Sequence, residues 1–343
     1  MKPTETDQAN EDEFTFKTTS SDVDVTLQQR LTDLYEEFIY KPGIVAWSDW
    51  RTRVGSVVLL AYIFVGTVGV SLYPSPNTNQ VERGLQPFTT WDAPLGSTPM
   101  GEDLLAMTIH ATDDVLLMIL AGGVWATGVA VLIGVLAGYK GGSVDRTLSS
   151  VMDIAMAIPG LPLIMILAAV FSPSNPILIG LLITINYWAG LGRAIRSQVL
   201  TLREGPYVEA SRTMGQSTWR IMFKDIVPNL MPYVLINFVN AARYVIFASV
   251  GLYFIGVLPF SVQNWGVTLN KAYNQGALLA SDLFHWLIVP MLAILFLSLS
   301  LILLAQGLDK VFNPRVRTRL AGESKSTVED DDDDGATISE VMN

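Results

Sequence analysis

Six stretches of this chain are apolar for about the 17 to 25 residues that a helix needs to cross a bilayer, and no other feature constrains the fold as tightly. They run approximately from Val54 to Tyr73, Val115 to Tyr139, Asp153 to Phe171, Ile177 to Ile195, Tyr233 to Val257 and Phe284 to Ala305. Hydrocarbon offers a backbone N–H no partner, so each stretch must close its own hydrogen bonds as a helix. Gly122, Gly123, Gly128 and Gly134 suit close approach between helices. The expected fold class is therefore all-α, a polytopic transmembrane bundle of about six spans in the cell membrane. Composition agrees: of 343 residues, 50% are hydrophobic and 16% charged, against roughly 25% charged in soluble domains. The first 40 residues lack the apolar run of a cleavable signal, which makes the first span a retained anchor.

Orientation follows from the basic residues, which are held on the cytoplasmic side of spans. With both ends inside, Arg51, Arg53, Lys140, Arg146, Arg193, Arg196, Arg203, Arg212, Arg220, Lys224, Lys310, Arg315, Arg317 and Arg319 are all cytoplasmic, and only Arg83 and Lys271 fall outside. Two external segments exceed a tight turn, from Pro74 to about Asp114 and from Leu258 to about Leu283. The net charge of −10 argues against nucleic acid, since phosphate binding needs clustered Lys and Arg. The excess acid lies near the termini, in a thin Asp, Glu, Thr and Ser mixture over residues 1–37 and an unbroken run from Glu329 to Asp334. Both segments read as solvated and disordered.

Several chemistries are missing. Without cysteine there are no disulfides, thiolate metal sites or thiol nucleophiles. His110 and His285 lie far apart and read as structural. No Gly-x-x-x-x-Gly-Lys-Ser/Thr phosphate loop is present, so ATP hydrolysis would have to come from another subunit. No cofactor, metal or catalytic residue is expected.

The informative region is the intracellular loop 196–232, which reads LREGPYVEASRTMGQSTWRIMFKDIVPNLMP from Leu202 onward. Pro206 suits a helix start and Gly215 the left-handed residue that closes the helix. Ser217 can cap a second helix, which Pro228 is expected to end. Trp219, Met222, Phe223 and Ile226 recur at i, i+3, i+4 and i+7, giving that helix one apolar face. Two readings stay open for this face: packing on the chain's own helix ends or headgroup layer, or docking a cytoplasmic partner. In the fifth span Asn237, Asn240 and Arg243 form a polar stripe. Arginine in lipid is costly, so the stripe should face the bundle interior or a wet path, as translocation lining or as a structural hydrogen-bond network. Asn186 and Tyr187 of the fourth span are further candidates for that wall.

Glu209, Ala210 and Ser211 followed by Gly215 and Pro228 resemble the Glu-Ala-Ala loop of binding-protein-dependent ABC transporter permeases, most of all the second permease subunit of dipeptide and oligopeptide importers. Supporting pieces are Pro94 to Ser97 with Gly101 and Asp103, Ala137 to Gly142 with Asp145, Asp153 with Ala157 and Pro159, Trp265 with Gly266, and Gly307 to Asp309 with Asn313 to Arg315. The likeness covers about residues 45 to 315. Ser211 stands for the second Ala and Val227 for a Leu; Thr98, Glu102 and Ser249 replace the usual Asp, Arg and Glu.

The resemblance implies a type I ABC importer permease that forms half of a translocation path and pairs with a second permease subunit. Two ATP-binding subunits and an extracytoplasmic substrate-binding protein complete the assembly. In the coupling loop, Glu209, Ala210, Ser211, Gly215, Trp219, Phe223 and Pro228 would meet the ATPase; Asn186, Asn237, Asn240 and Arg243 would line the path. The implied cargo is a dipeptide, oligopeptide, nickel or a sugar. The domain reading is a cytoplasmic acidic segment over 1–50, a permease domain over 51–312 and an acidic tail over 313–343. The alternative is a stand-alone secondary transporter or channel, which usually needs Asp or Glu relays within the spans; their central parts hold none.

Overall fold

A computed structural model describes residue 47 and residues 49–312, with side chains as far as residue 309. The acidic terminal segments and the motif Asn313 to Arg315 lie outside the described residues, as do Arg317 and Arg319. Within the described part, four helices are long and apolar enough to cross a membrane alone, and six spans result if each of two sharply bent helix pairs is counted as one. Each follows an apolar stretch of the sequence.

The first span is α1 (Trp50–Phe64), capped by the Asp49 carboxylate and continued through a π turn, Val65–Gly69, to Leu72. Next comes α2 (Leu104–Lys140), whose N-terminus is capped by the Asp103 side chain accepting from Leu105 N–H at 2.9 Å. This helix starts eleven residues before the apolar stretch that announced it. Hydropathy marks lipid contact, whereas a cap marks the helix end, and Thr112, Asp113 and Asp114 are helical without being apolar.

The third and fourth spans are not single helices, contrary to expectation. The third is α3 (Gly142–Ala157) and α4 (Gly160–Phe171), bent by 80°. Pro159 causes the break: it lacks an N–H and pushes Ile158 into extended backbone, ψ 122°. The fourth is α5 (Pro176–Ile183) and α6 (Trp188–Leu202), bent by 59°. Here no proline intervenes; the Thr184 hydroxyl donates to Gly180 O at 2.9 Å, a local bond that competes with the helical ladder. Asn186 Nδ2 donates to Ile158 O at 3.2 Å, so the two breaks are tied to each other.

The loop helix α7 (Pro206–Thr213) is followed by α8 (Thr218–Ile221), a π turn at Met222–Ile226 and α9 (Val227–Phe254). Pro228 does not end a helix. The π turn bonds Val227 N–H to Met222 O, five residues back, and the ladder resumes past the proline. The fifth span is therefore continuous from Thr218 to Phe254, and the free loop shrinks to the residues between α6 and α8. The last elements are α10 (Trp265–Asn274) and α11 (His285–Phe312).

α2 runs through the centre and packs on α5, α6 and α9, while α11 lies against α1, α9 and α10. Glycine permits this contact. A Cβ at Gly122 would sit 2.7 Å from Gly180 O, and one at Gly134 would sit 2.6 Å from Gly192 O, so the backbones nearly touch. Gly123 takes the Phe238 ring. Gly128 faces open space, so the expected small-residue contact is not made there.

The segment before α2 lies on α10 and α11. Lys271 Nζ reaches Glu102 Oε1 at 3.3 Å, Gln86 Nε2 donates to Asp282 O at 2.6 Å, and Tyr73 Oη donates to Asp103 Oδ2 at 2.7 Å. His285 Nε2 approaches Ser97 O and His110 Nε2 approaches Tyr73 O, which are structural contacts. Ser249 is buried and donates to Ile246 O.

Candidate functional site: the basic end and its outward helix

The C-termini of α2 and α6, the start of α3, and α7 with α8 meet at one end of the bundle, where the arginines are held. Arg196 grips Asp145 with two bonds, Nε to Oδ1 at 2.5 Å and Nη2 to Oδ2 at 2.7 Å. Arg203 Nη1 donates to Gly138 O at 3.0 Å, serving a carbonyl at the end of α2 that has no helical partner. The Arg212 guanidinium stacks over Tyr139 at 5.2 Å. The Asp145–Arg196 fork joins α3 to α6 and both side chains are less than a third exposed. Replacing Asp145 with alanine is expected to destabilise the solubilised chain by about 1.5 to 3 kcal/mol. A thermal melt unchanged from wild type would show that the fork contributes nothing to stability.

α7 is an amphipathic helix in miniature. Val208 and Ser211 are buried; Val208 is fully enclosed in an apolar cluster that also holds Ile195, Val199, Ile221, Met222 and Ile226. Glu209, Ala210, Thr213 and Met214 point outward and are exposed. Gly205 caps the start with Pro206 in the first turn, and Gly215 closes the end at φ +71° with Gln216 N–H bonded to Ser211 O. Both punctuation marks stand where the sequence placed them. Glu209 lies on the rim of an open polar depression of about 760 Å³ that it shares with Tyr139, Arg203, Glu204, Arg212 and Thr213.

The apolar face of the next helix splits in two. Met222 and Ile226 are buried in the bundle, whereas Trp219 and Phe223 stack on one another at 6.0 Å and are about half exposed. Lys140 Nζ stands 5.3 Å from the Trp219 ring centre. Residues four apart share a helix stripe, and the π turn rotates the stripe partway along, which a fixed helical period cannot foresee. Pro228 is exposed beside them. Of the expected loop residues, Glu209, Ala210, Gly215, Trp219, Phe223 and Pro228 are thus outside and Ser211 is inside.

The fifth-span stripe is only partly covered. Asn237 is engaged locally, donating to Tyr233 O at 2.8 Å. Asn240 and Arg243 are half-buried, and Asn186 is taken up by the helix break. Sequence reading passed over one feature: Tyr187 and Tyr244 are stacked at 4.6 Å beside this stripe. They come from different spans, so no periodicity within one segment pairs them.

The architecture defines a polytopic membrane component that presents a short, glycine-ended helix at its basic end, a class suited to transport. Residues 130–318 match the family described as the binding-protein-dependent transport system inner membrane component, and the chain belongs to that family. It is similar to the dipeptide transport system permease protein DppC of Bacillus subtilis, 29% identical with 81% of this chain and 89% of the relative covered. The oligopeptide transport system permease protein OppC of Mycobacterium bovis is 31% identical, covering 79% of this chain and 93% of the relative. The OppC protein of Bacillus subtilis is 27% identical over 82% and 93%. The chain is accordingly a multi-pass permease subunit of an ATP-binding cassette importer.

Proposed function

We propose that this subunit forms half of a peptide path through the cell membrane and is driven by two separate ATPase subunits. The observation that carries the reading is α7, held from below by Val208 while Glu209 and Ala210 face out. A lever needs a fixed base and a free gripping face, and this helix has both. The gripping face belongs in the cytoplasm, in keeping with the basic residues gathered around it. Closure of the ATPase pair on nucleotide would displace α7 and shift the bundle between inward-open and outward-open states. Glu209 would supply the polar contact, Ala210 the close approach and Gly215 the bend, with Trp219, Phe223 and Pro228 bordering the grip and Ser211 anchoring it.

The permease domain is 51–312, flanked by cytoplasmic segments. A second, related permease subunit completes the path as a heterodimer, and an extracytoplasmic binding protein delivers the cargo. Peptide cargo is supported by the relatives named for dipeptide and oligopeptide transport. The chain itself performs no catalysis; its sequence has no phosphate loop. In proteoliposomes holding the second permease and ATPase subunits, a labelled dipeptide with its binding protein is expected to enter only with ATP. Uptake by this chain alone would favour a stand-alone transporter or channel instead.

A further inference from the structure

At the basic end of the bundle Arg196 is paired with Asp145, Arg193 with Asp153, and Arg203 donates to Gly138 O, while Arg146 and Arg220 are exposed. Arg243 is different. Its Nε is shut off from solvent with no hydrogen-bond partner although the residue is only half-buried, and no ion pair among the described residues includes it. It stands eleven residues before the C-terminal end of α9, midway along the apolar stretch from Tyr233 to Val257, where an unneutralised cation costs several kcal/mol. A position so costly calls for an anion or a wet path.

The surroundings say which side Arg243 serves. One side of α9 is committed to the bundle: Ala241, Ala242, Val245 and Ile246 are fully buried, with Val245 against Gly122. Asn240, Arg243 and Phe247 occupy the other side, and Phe247 is 53% exposed. Next to this side lie the stacked rings of Tyr187 and Tyr244, and Tyr244 directly follows Arg243 along α9. Tyr187 itself belongs to the turn where α5 breaks from α6, and discontinuous spans put irregular backbone where a cavity is lined. One wall thus offers a cation, a carboxamide and an aromatic pair. These groups complement the carboxylate, the amide backbone and the side chains of a short peptide.

We propose that Arg243 receives the C-terminal carboxylate of the peptide in transit, with Asn240 and the Tyr187–Tyr244 pair beside it. The inference rests on the reading of the cargo as peptide. The test is uptake of one peptide as free acid and as C-terminal amide by the complete reconstituted importer. The binding protein is loaded to equal occupancy with each form. Wild type is expected to take the acid roughly tenfold faster than the amide. Arg243→Gln brings the acid down to the rate of the amide, and Arg243→Lys, which keeps the charge, retains most of the preference. Co-elution of the subunits checks that each variant assembles. Equal rates for acid and amide in wild type, or an equal slowing of both by Arg243→Gln, would overturn the proposal and leave the peptide importer standing. A wild-type complex that takes up neither form would sink the peptide reading as well.

Discussion

Replacing Glu209 with arginine is expected to lower peptide uptake per ATP hydrolysed by at least about tenfold, an uncoupling, while membrane insertion stays normal. The side chain is exposed on the outer face of α7 and, among the described residues, has no hydrogen-bond or ion-pair partner to lose. A charge reversal there leaves the bundle intact and opposes the contact by which the ATPase grips it. Gly215 tests the same lever by a different route. It sits at φ +71° with open space where a Cβ would go, so substitution strains the backbone without creating a clash. Gly215→Asn should be mild, because Asn tolerates the left-handed region, and Gly215→Val severe, because a branched side chain costs about 1 to 2 kcal/mol there. The measurement is labelled uptake against phosphate release in the same proteoliposomes. Fully coupled transport by both Glu209→Arg and Gly215→Val would remove the lever from the account.

The second large effect is structural. Gly180→Val should prevent the chain from accumulating in the membrane, or lower its melting temperature sharply. A Cβ at this position would collide with Met118 O and lie 2.9 Å from Met118 Cα. Both atoms belong to helix backbone and cannot rotate away, so the strain exceeds the roughly 1 to 3 kcal/mol of ordinary overpacking. Gly128→Ala is the matched control, since nothing lies within 4 Å of the added methyl. In the isolated chain it should be neutral or slightly stabilising, because glycine costs a helix about 0.5 to 1 kcal/mol relative to alanine. Equal behaviour of the two variants in a detergent melt would mean that the α2–α5 contact is not set by glycine.

What could be read from the residues follows the range of each force. Burial in lipid acts on every residue of a span, so six stretches announced themselves. Turn chemistry acts over three or four residues, so Pro206, Gly215 and Ser217 stand in their assigned roles. Pro228 was misjudged, because whether a proline ends a helix depends on whether the preceding ladder can slip by one residue. The bend in the fourth span had no proline to announce it, and Thr184 is one of many hydroxyls that could have bonded to its own helix.

By itself, the sequence determined that the chain lives in a membrane as helices, which end carries its basic charge, and where a short loop helix must start and stop. These are consequences of hydration and of local backbone geometry. The tertiary structure alone decided that Ser211, Met222 and Ile226 turn inward while Glu209 and Trp219 stay outside, and that Tyr187 meets Tyr244. Those outcomes depend on the rotation and bend of helices packed against each other. No single segment encodes the angle at which its neighbour arrives.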